Sequence, residues 1–227
     1  MTRWWLAWLL GPVGCLPGDP RPPPAEIQLT LVGDPDTKLF ITDDQWAIDY
    51  KVIFVQEGAA EWLESDTCFR FSRTTYVTDL NVAPENPAPI ALIFGLGQCL
   101  PLVRFNPSAA FGLANAGDGD EPYAFELPIV PDFAALEGCL NEDGQPGPVV
   151  LESGEVREEV FEVVGTAPFR QPDGSVRFEP LLGWDTNFDR TISIGEASAA
   201  QTEDAWLAVA QNMFTSNGRP CRFTLRE

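Results

Sequence analysis

The chain has 227 residues and a formal net charge of −20, from 34 acidic and 14 basic side chains, and it contains no histidine. Without histidine there is no Ser-His-Asp or Cys-His catalysis, no imidazole-ligated zinc, iron or copper, and no imidazole switch near neutral pH. The acidity argues against nucleic acid and anionic membrane surfaces as partners, since both select a basic patch. A hydrophobic content of 44%, with fifteen Phe and seven Trp, is enough for one folded core at this length.

The first residues read as an address rather than as fold. A basic start precedes an apolar run at 4–10 (WWLAWLL), too short to span a bilayer, and then Gly11-Pro12-Val13-Gly14-Cys15. Residues 1–14 form an expected cleaved export signal. Gly14 directly before Cys15 resembles a bacterial lipoprotein signal, with Pro12 where that family usually has Leu. The resemblance implies a lipidated Cys15, a place in a bacterial cell envelope, and membrane attachment through the lipid anchor only. Plain secretion is the alternative. Residues 15–25, rich in proline, predict a stiff extended tether. With Cys15 set aside, Cys68, Cys99, Cys139 and Cys221 form an even set without CxxC spacing, which suits two disulfides in an oxidising compartment. Three pairings are possible, and sequence order favours Cys68–Cys99 with Cys139–Cys221.

From residue 26 onward a single mainly-β domain is expected, extending to 227. Alternation predicts strands at 27–31, 38–42 and 46–54. Residues 69–80 read as one or two strands rich in Thr and aromatics. The continuous apolar run at 90–96 predicts a buried strand, and 102–105 another short one. Residues 109–121, with the Gly- and Asp-rich GLANAGDGDE, predict a mobile acidic loop. Alternation returns at 123–130, where Pro128 points to an edge or a bulge. Residues 131–148 read as irregular with a helical turn at 133–137. A hairpin is expected for 149–152 and 155–164 around Ser153-Gly154, and another at Asp173-Gly174.

The segment 183–227 changes character to loop, helix and strand. Trp206, Val209, Ala210, Met213 and Phe214 recur at helical spacing and predict one helix over 197–214, ended by Asn217-Gly218. Residues 221–225 form a last strand. The expected fold is therefore mainly β and sandwich-like, with one C-terminal helix.

One stretch carries chemistry. Residues 185–196 (DTNFDRTISIGE) resemble a twelve-residue EF-hand or dockerin-type calcium loop. The resemblance implies a Ca2+ site, with side-chain oxygens from Asp185, Asn187 and Asp189 at positions 1, 3 and 5. Thr191 at position 7 would offer its carbonyl, Ser193 at position 9 would ligate directly or through water, and Glu196 at position 12 would be bidentate. Ile192 at position 8 would make an apolar β contact. Position 6 is Arg190, where the sharp turn ordinarily takes Gly. A lone loop, in a chain with two Met, does not suit a sensor that opens a Met-rich groove. The other acidic groups, Asp34, Asp36, Asp43 and Asp44, and Asp118, Asp120 and Glu121, read mainly as turn chemistry. Trp46 is in phase with a core face, whereas Trp184, beside the loop, is open to another role.

No G-x-S-x-G, P-loop or dinucleotide fingerprint occurs, and no catalytic residue is assigned. The favoured reading is an envelope lipoprotein acting as a binding or structural module, with an envelope protein or a glycan as its partner. A carbohydrate-active enzyme with paired carboxylates, and a calcium-dependent adhesion or carbohydrate-binding module, are the alternatives.

Overall fold

The computed structural model describes residues 22–62, 66–75, 79–81, 83–117, 119–130, 134–139, 145, 147–201, 209, 212–216 and 219–225. The expected signal, Cys15 and most of the tether lie outside the described residues. The elements in chain order are β1 (Ala25–Gly33), β2 (Leu39–Ile41), β3 (Ala47–Trp62), β4 (Cys68–Thr75), β5 (Asp79–Asn81), β6 (Ala88–Cys99) and β7 (Pro101–Asn115). They continue as β8 (Tyr123–Val130), β9 (Ala134–Cys139), β10 (Val149–Leu151), β11 (Val156–Val163), β12 (Thr191–Ile192), α1 (Ile194–Ala200), β13 (Phe214–Ser216) and β14 (Arg219–Leu225).

The strands make two sheets in a sandwich-like arrangement, and the fold is mainly β. One sheet runs β4–β6–β1–β11–β13–β14, with β10 on the end of β6. The other runs β14–β9–β7–β3–β2, with β8 also on β7 and β5 also on β3. Because β14 pairs with β13 on one side and β9 on the other, it joins the two sheets. Two disulfides, Cys68–Cys99 and Cys139–Cys221, follow the pairing that sequence order favoured. The second ties β9 to β14 at the junction.

The core forms where the alternating faces meet. Ile27, Leu29 and Leu31 of β1, Ile48 of β3, and Phe125 and Leu127 of β8 are all buried. An aromatic group sits at one end: Phe125, Phe169 and Phe178 lie 5.6–6.1 Å from one another, with Tyr50 and Trp46 at its sides. Such tilted and edge-on pairs add modestly to the burial itself, about 0.5–1.5 kcal/mol each.

Four local expectations are corrected. The acidic loop expected at 109–121 is mostly strand, since β7 continues to Asn115 between β3 and β8. Its small residues leave room rather than turn the chain: a Cβ on Gly112 would sit 2.4 Å from the Phe125 ring. The helical turn expected at 133–137 is β9, held by β7, β14 and the disulfide at Cys139. Tertiary pairing there overrides local propensity. The arms of the hairpin expected around Ser153-Gly154 part company. β10 pairs with β6, while β11 lies parallel to β1 from Glu26↔Val156 to Gly33↔Val163. Finally, the helix expected over 197–214 begins earlier, at Ile194, and is broken at Gln201, while Val209, Asn212 and Met213 near its expected end are helical again. α1 covers Ile194–Ala200, Gln201 is extended, and Phe214 starts β13, paired with Val163 and stacked on Phe105. Residues 202–208, 210 and 211 lie outside the described residues.

The turn at Asp173-Gly174 forms as expected, closing a single bridge between Arg170 and Val176. Pro128 faces Ala109 beside a register shift that leaves Ile129 of β8 unpaired, the bulge its presence suggested.

Candidate metal centre

The loop at 185–196 is shaped by its own carboxylates and amides. Asp185 ends a 3-10 turn over Glu179–Trp184 and is only 4% exposed. The N–H of Asp189 donates to its Oδ1 at 3.2 Å, and that of Arg190 to its Oδ2 at 3.1 Å. Asn187 Oδ1 accepts the N–H of Asp189 at 3.0 Å, and Asp189 Oδ1 accepts the N–H of Thr191 at 2.8 Å. Asn187 Nδ2 donates to Asp189 Oδ2 at 3.1 Å. The short polar side chains thus fold the backbone back on itself, the Asx-turn behaviour of Asp and Asn.

Two residues take left-handed backbone in this turn, Phe188 at φ 60° and Arg190 at φ 63°. Arg190 therefore adopts the sharp-turn conformation that position 6 demands, although it is not Gly. Its guanidinium is directed away from the loop oxygens. It lies over the Tyr123 ring at 4.9 Å, and its Nη2 is 3.9 Å from Asp120. Phe188, at the tip, is 86% exposed.

The β contact expected of Ile192 is made by the sandwich. β12 runs parallel to β8, with Thr191↔Ala124 and Ile192↔Phe125, and the N–H of Ala124 donates to the Arg190 carbonyl at 3.0 Å. Ile192 is fully buried. A lone loop thereby obtains from β8 the neighbour strand that a paired loop would supply.

Ser193 and Glu196 are placed differently from the ligand expectation. They form a capping box at the start of α1: Ser193 Oγ accepts the N–H of Glu196, and the N–H and Oγ of Ser193 donate to Glu196 Oε2. Glu196 Oε1 accepts from the N–H and Oγ1 of Thr186, at 3.0 and 2.8 Å. Four donors converge on this carboxylate, about as many as its lone pairs accept. The hydroxyls of Thr186 and Ser193, then their backbone N–H groups, hold the Glu196 carboxyl down at about 2.

The residues therefore fit a hard cation in part. Asp185, Asn187 and Asp189 sit on one turn, and each oxygen used internally has a lone pair left over. Glu196 stands apart, saturated by Thr186 and Ser193, and among the described residues no three acidic, Cys or His side chains converge as a metal-holding group. The S-x-x-E spacing of the capping box was present in the sequence and serves the helix; nothing marked Thr186 at position 2 as the partner of Glu196.

Asp34, Asp43 and Asp44 accept backbone N–H groups from other segments. The two carboxylate oxygens of Asp44 accept the N–H groups of Phe178 and Glu179, and Oδ1 accepts Thr42 Oγ1. Burial works against its charge, but those hydrogen bonds outweigh it and its carboxyl is lowered. Asp43 Oδ2 accepts the N–H of Val176 at 2.7 Å. Asp34 Oδ1 accepts the N–H of Gly165 at 3.0 Å, with Tyr50 Oη donating to the Gly165 carbonyl at 2.6 Å. Burial raises the Asp34 carboxyl and pushes Tyr50 well above its usual range. Asp118 lies outside the described residues.

No family model matches the chain, and no curated protein or solved structure matches it either. The reading of the site thus rests on this chain's own residues.

Proposed function

We propose that the protein is an exported cell-envelope lipoprotein, anchored through Cys15, whose β body is a binding or structural module stabilised by one calcium ion at 185–196. The observation that carries the calcium reading is the first turn of that loop. It gathers Asp185, Asn187 and Asp189 around their own backbone and holds Arg190 in the left-handed conformation that such a loop needs. Asp185, Asn187 and Asp189 would supply side-chain oxygens and Thr191 its carbonyl. Ser193 caps α1 and would contribute at most through water. Glu196 can ligate only by giving up Thr186 and Ser193, so calcium and these hydroxyls compete for it. The ion's role is to neutralise the acids of this turn and fix it against β8; no chemistry is assigned to it.

Support for export comes from the N-terminal residues and from two disulfides that need an oxidising compartment. Support for a non-catalytic module comes from the use of the acids. Those at Asp34, Asp43 and Asp44 hold backbone. Among the described residues, the lining of a cavity of about 540 Å³ beside Trp184 brings in no Asp or Glu.

The deciding experiment is thermal unfolding of the mature protein in excess calcium and in chelator, beside Asp185→Ala. The proposal expects a higher melting temperature in calcium and no such response in the variant. Equal melting curves for the parent in calcium and in chelator reject the calcium site. Mass spectrometry of the mature N-terminus tests the anchor: an unmodified Cys15, or a start elsewhere, rejects lipidation.

A further inference from the structure

The cavity beside Trp184 has a chemistry unlike the rest of the molecule. It lies between the 3-10 turn over Ala167–Phe169, the turn at 171–174 and the C-terminal end of α1. Its volume, about 540 Å³, falls within the usual range for a small-molecule site. Three prolines, Leu181, Val209 and Trp184 give it an apolar lining. In a chain with 34 acids and a net charge of −20, the one charged residue of the lining among the described residues is the cation Arg170.

Two polar groups in the lining are uncommitted. Among the described residues the Arg170 guanidinium makes no ion pair or hydrogen bond; only its backbone N–H is engaged, to Ala167. Gln201 Oε1 is buried without a hydrogen-bond partner. A buried acceptor left in that state calls for a donor. By contrast, Gln171 Nε2 is already spent on the Phe169 carbonyl. The position of Gln201 is fixed because it ends α1, where the chain turns from helical to extended.

A ligand that satisfies this lining needs three things. It needs a carboxylate, because guanidinium pairs with a planar oxyanion in two parallel hydrogen bonds. It needs a hydroxyl to donate to Gln201. It needs a compact body with an apolar C–H face for Trp184 and the prolines. We propose that this cavity binds a single acidic sugar residue, a hexuronate, with its carboxylate on Arg170, a ring hydroxyl on Gln201 and its C–H face on Trp184. The net charge of −20 opposes the approach of a polyanion, so one carboxylate per bound unit is favoured over a densely charged polymer. The inference rests on the binding-module half of the proposed function and is independent of calcium, since neither Arg170 nor Gln201 belongs to the loop.

The test is a chemical-shift titration of the intact protein with galacturonate, with its methyl ester, and with acetyl-Ala-Ala. Each is run in calcium and in chelator. Galacturonate is expected to bind in both buffers. Esterifying the carboxylate, or Arg170→Gln at this exposed position, is expected to weaken binding by about tenfold or more. Gln201→Ala should weaken both the acid and the ester. The proposal is overturned if galacturonate does not bind, if the ester binds as well as the acid, if Arg170→Gln leaves affinity unchanged, or if the peptide binds as tightly as the sugar. A failed calcium response with galacturonate binding intact would remove the metal reading and leave this one standing.

Discussion

Two acidic turns use the same bond for opposite ends. At Asp43 and Asp44 the carboxylates accept N–H groups from Val176, Phe178 and Glu179, more than 130 residues away in the chain. At 185–196 the acceptors Asp185, Asn187, Asp189 and Glu196 bond to donors within ten residues of themselves. The first turn is a staple across the fold, and its carboxylates cannot be withdrawn without releasing another segment. In the second the side-chain acceptors bond within the loop, so they can be shared with a cation while the pairing to β8 stays in place. An acidic cluster is therefore informative through the sequence distance of its donors more than through its charge.

The sharpest way to break this contrast is to remove the staple. Asp44→Ala leaves the N–H groups of Phe178 and Glu179 without their acceptor, next to the aromatic group around Phe178. Stranding donors of a charged hydrogen bond costs about 3 kcal/mol. In a chain of this size that lowers the melting temperature by roughly 6–12 °C. The loss should be the same in calcium and in chelator. A drop that calcium restores would make Asp44 part of a metal site instead.

The second effect in size belongs to the loop. Calcium at a hundred times its dissociation constant should stabilise the parent by about 2.7 kcal/mol, read as a rise in melting temperature. Asp185→Ala and Glu196→Ala should both abolish the rise. If Asp185→Ala abolishes it and Glu196→Ala does not, Glu196 serves the helix alone and the ion is held by the first turn.

How much of this was legible in the sequence follows the same division. Contacts within ten residues leave a local pattern. The loop boundaries, the role of Ile192, the turn at Asp173-Gly174 and the alternation of β1, β3 and β8 were all readable. Contacts between distant segments leave none. The AALEGC segment looks helical until β14 and the disulfide at Cys139 claim it, and GLAN looks like a loop until Phe125 covers Gly112. The ligand assignment of Ser193 and Glu196 is open for another reason. Their spacing fits a calcium loop and a capping box equally, and only coordinates show which donors Glu196 takes.

A smaller effect follows from the four donors on Glu196. Its folded carboxyl, near 2, lies below its ordinary 4.5, so it contributes stability above pH 4.5 and loses it as pH falls toward 2. In chelator the melting temperature should therefore decline through that window, and Glu196→Gln should flatten the decline. Thr186→Val removes the hydroxyl that contributes most to the lowering. It should bring the Glu196 carboxyl back toward 4.5, as followed by carboxyl carbon shifts. By freeing one acceptor position, it should also tighten calcium. If Thr186→Val weakens calcium instead, Thr186 positions Glu196 for the ion rather than competing with it.

The least effect is expected at Arg190, because two contributions there oppose. Holding a non-Gly residue at φ 63° costs about 1 kcal/mol, which Arg190→Gly would relieve. The same substitution removes the guanidinium from the Tyr123 ring, a contact worth about 0.5–1 kcal/mol, and adds backbone freedom to the unfolded chain. The ion pair to Asp120 is long and exposed, so it counts for little. Arg190→Gly should therefore leave the urea midpoint in chelator nearly unchanged. Arg190→Ala keeps the backbone cost and loses the ring contact, so it should lower stability by about 1 kcal/mol. The difference between the two variants measures the strain stored at position 6. Equal midpoints for Gly and Ala would mean that the loop holds no such strain, and that its left-handed turn is set wholly by the hydrogen bonds to Asp185.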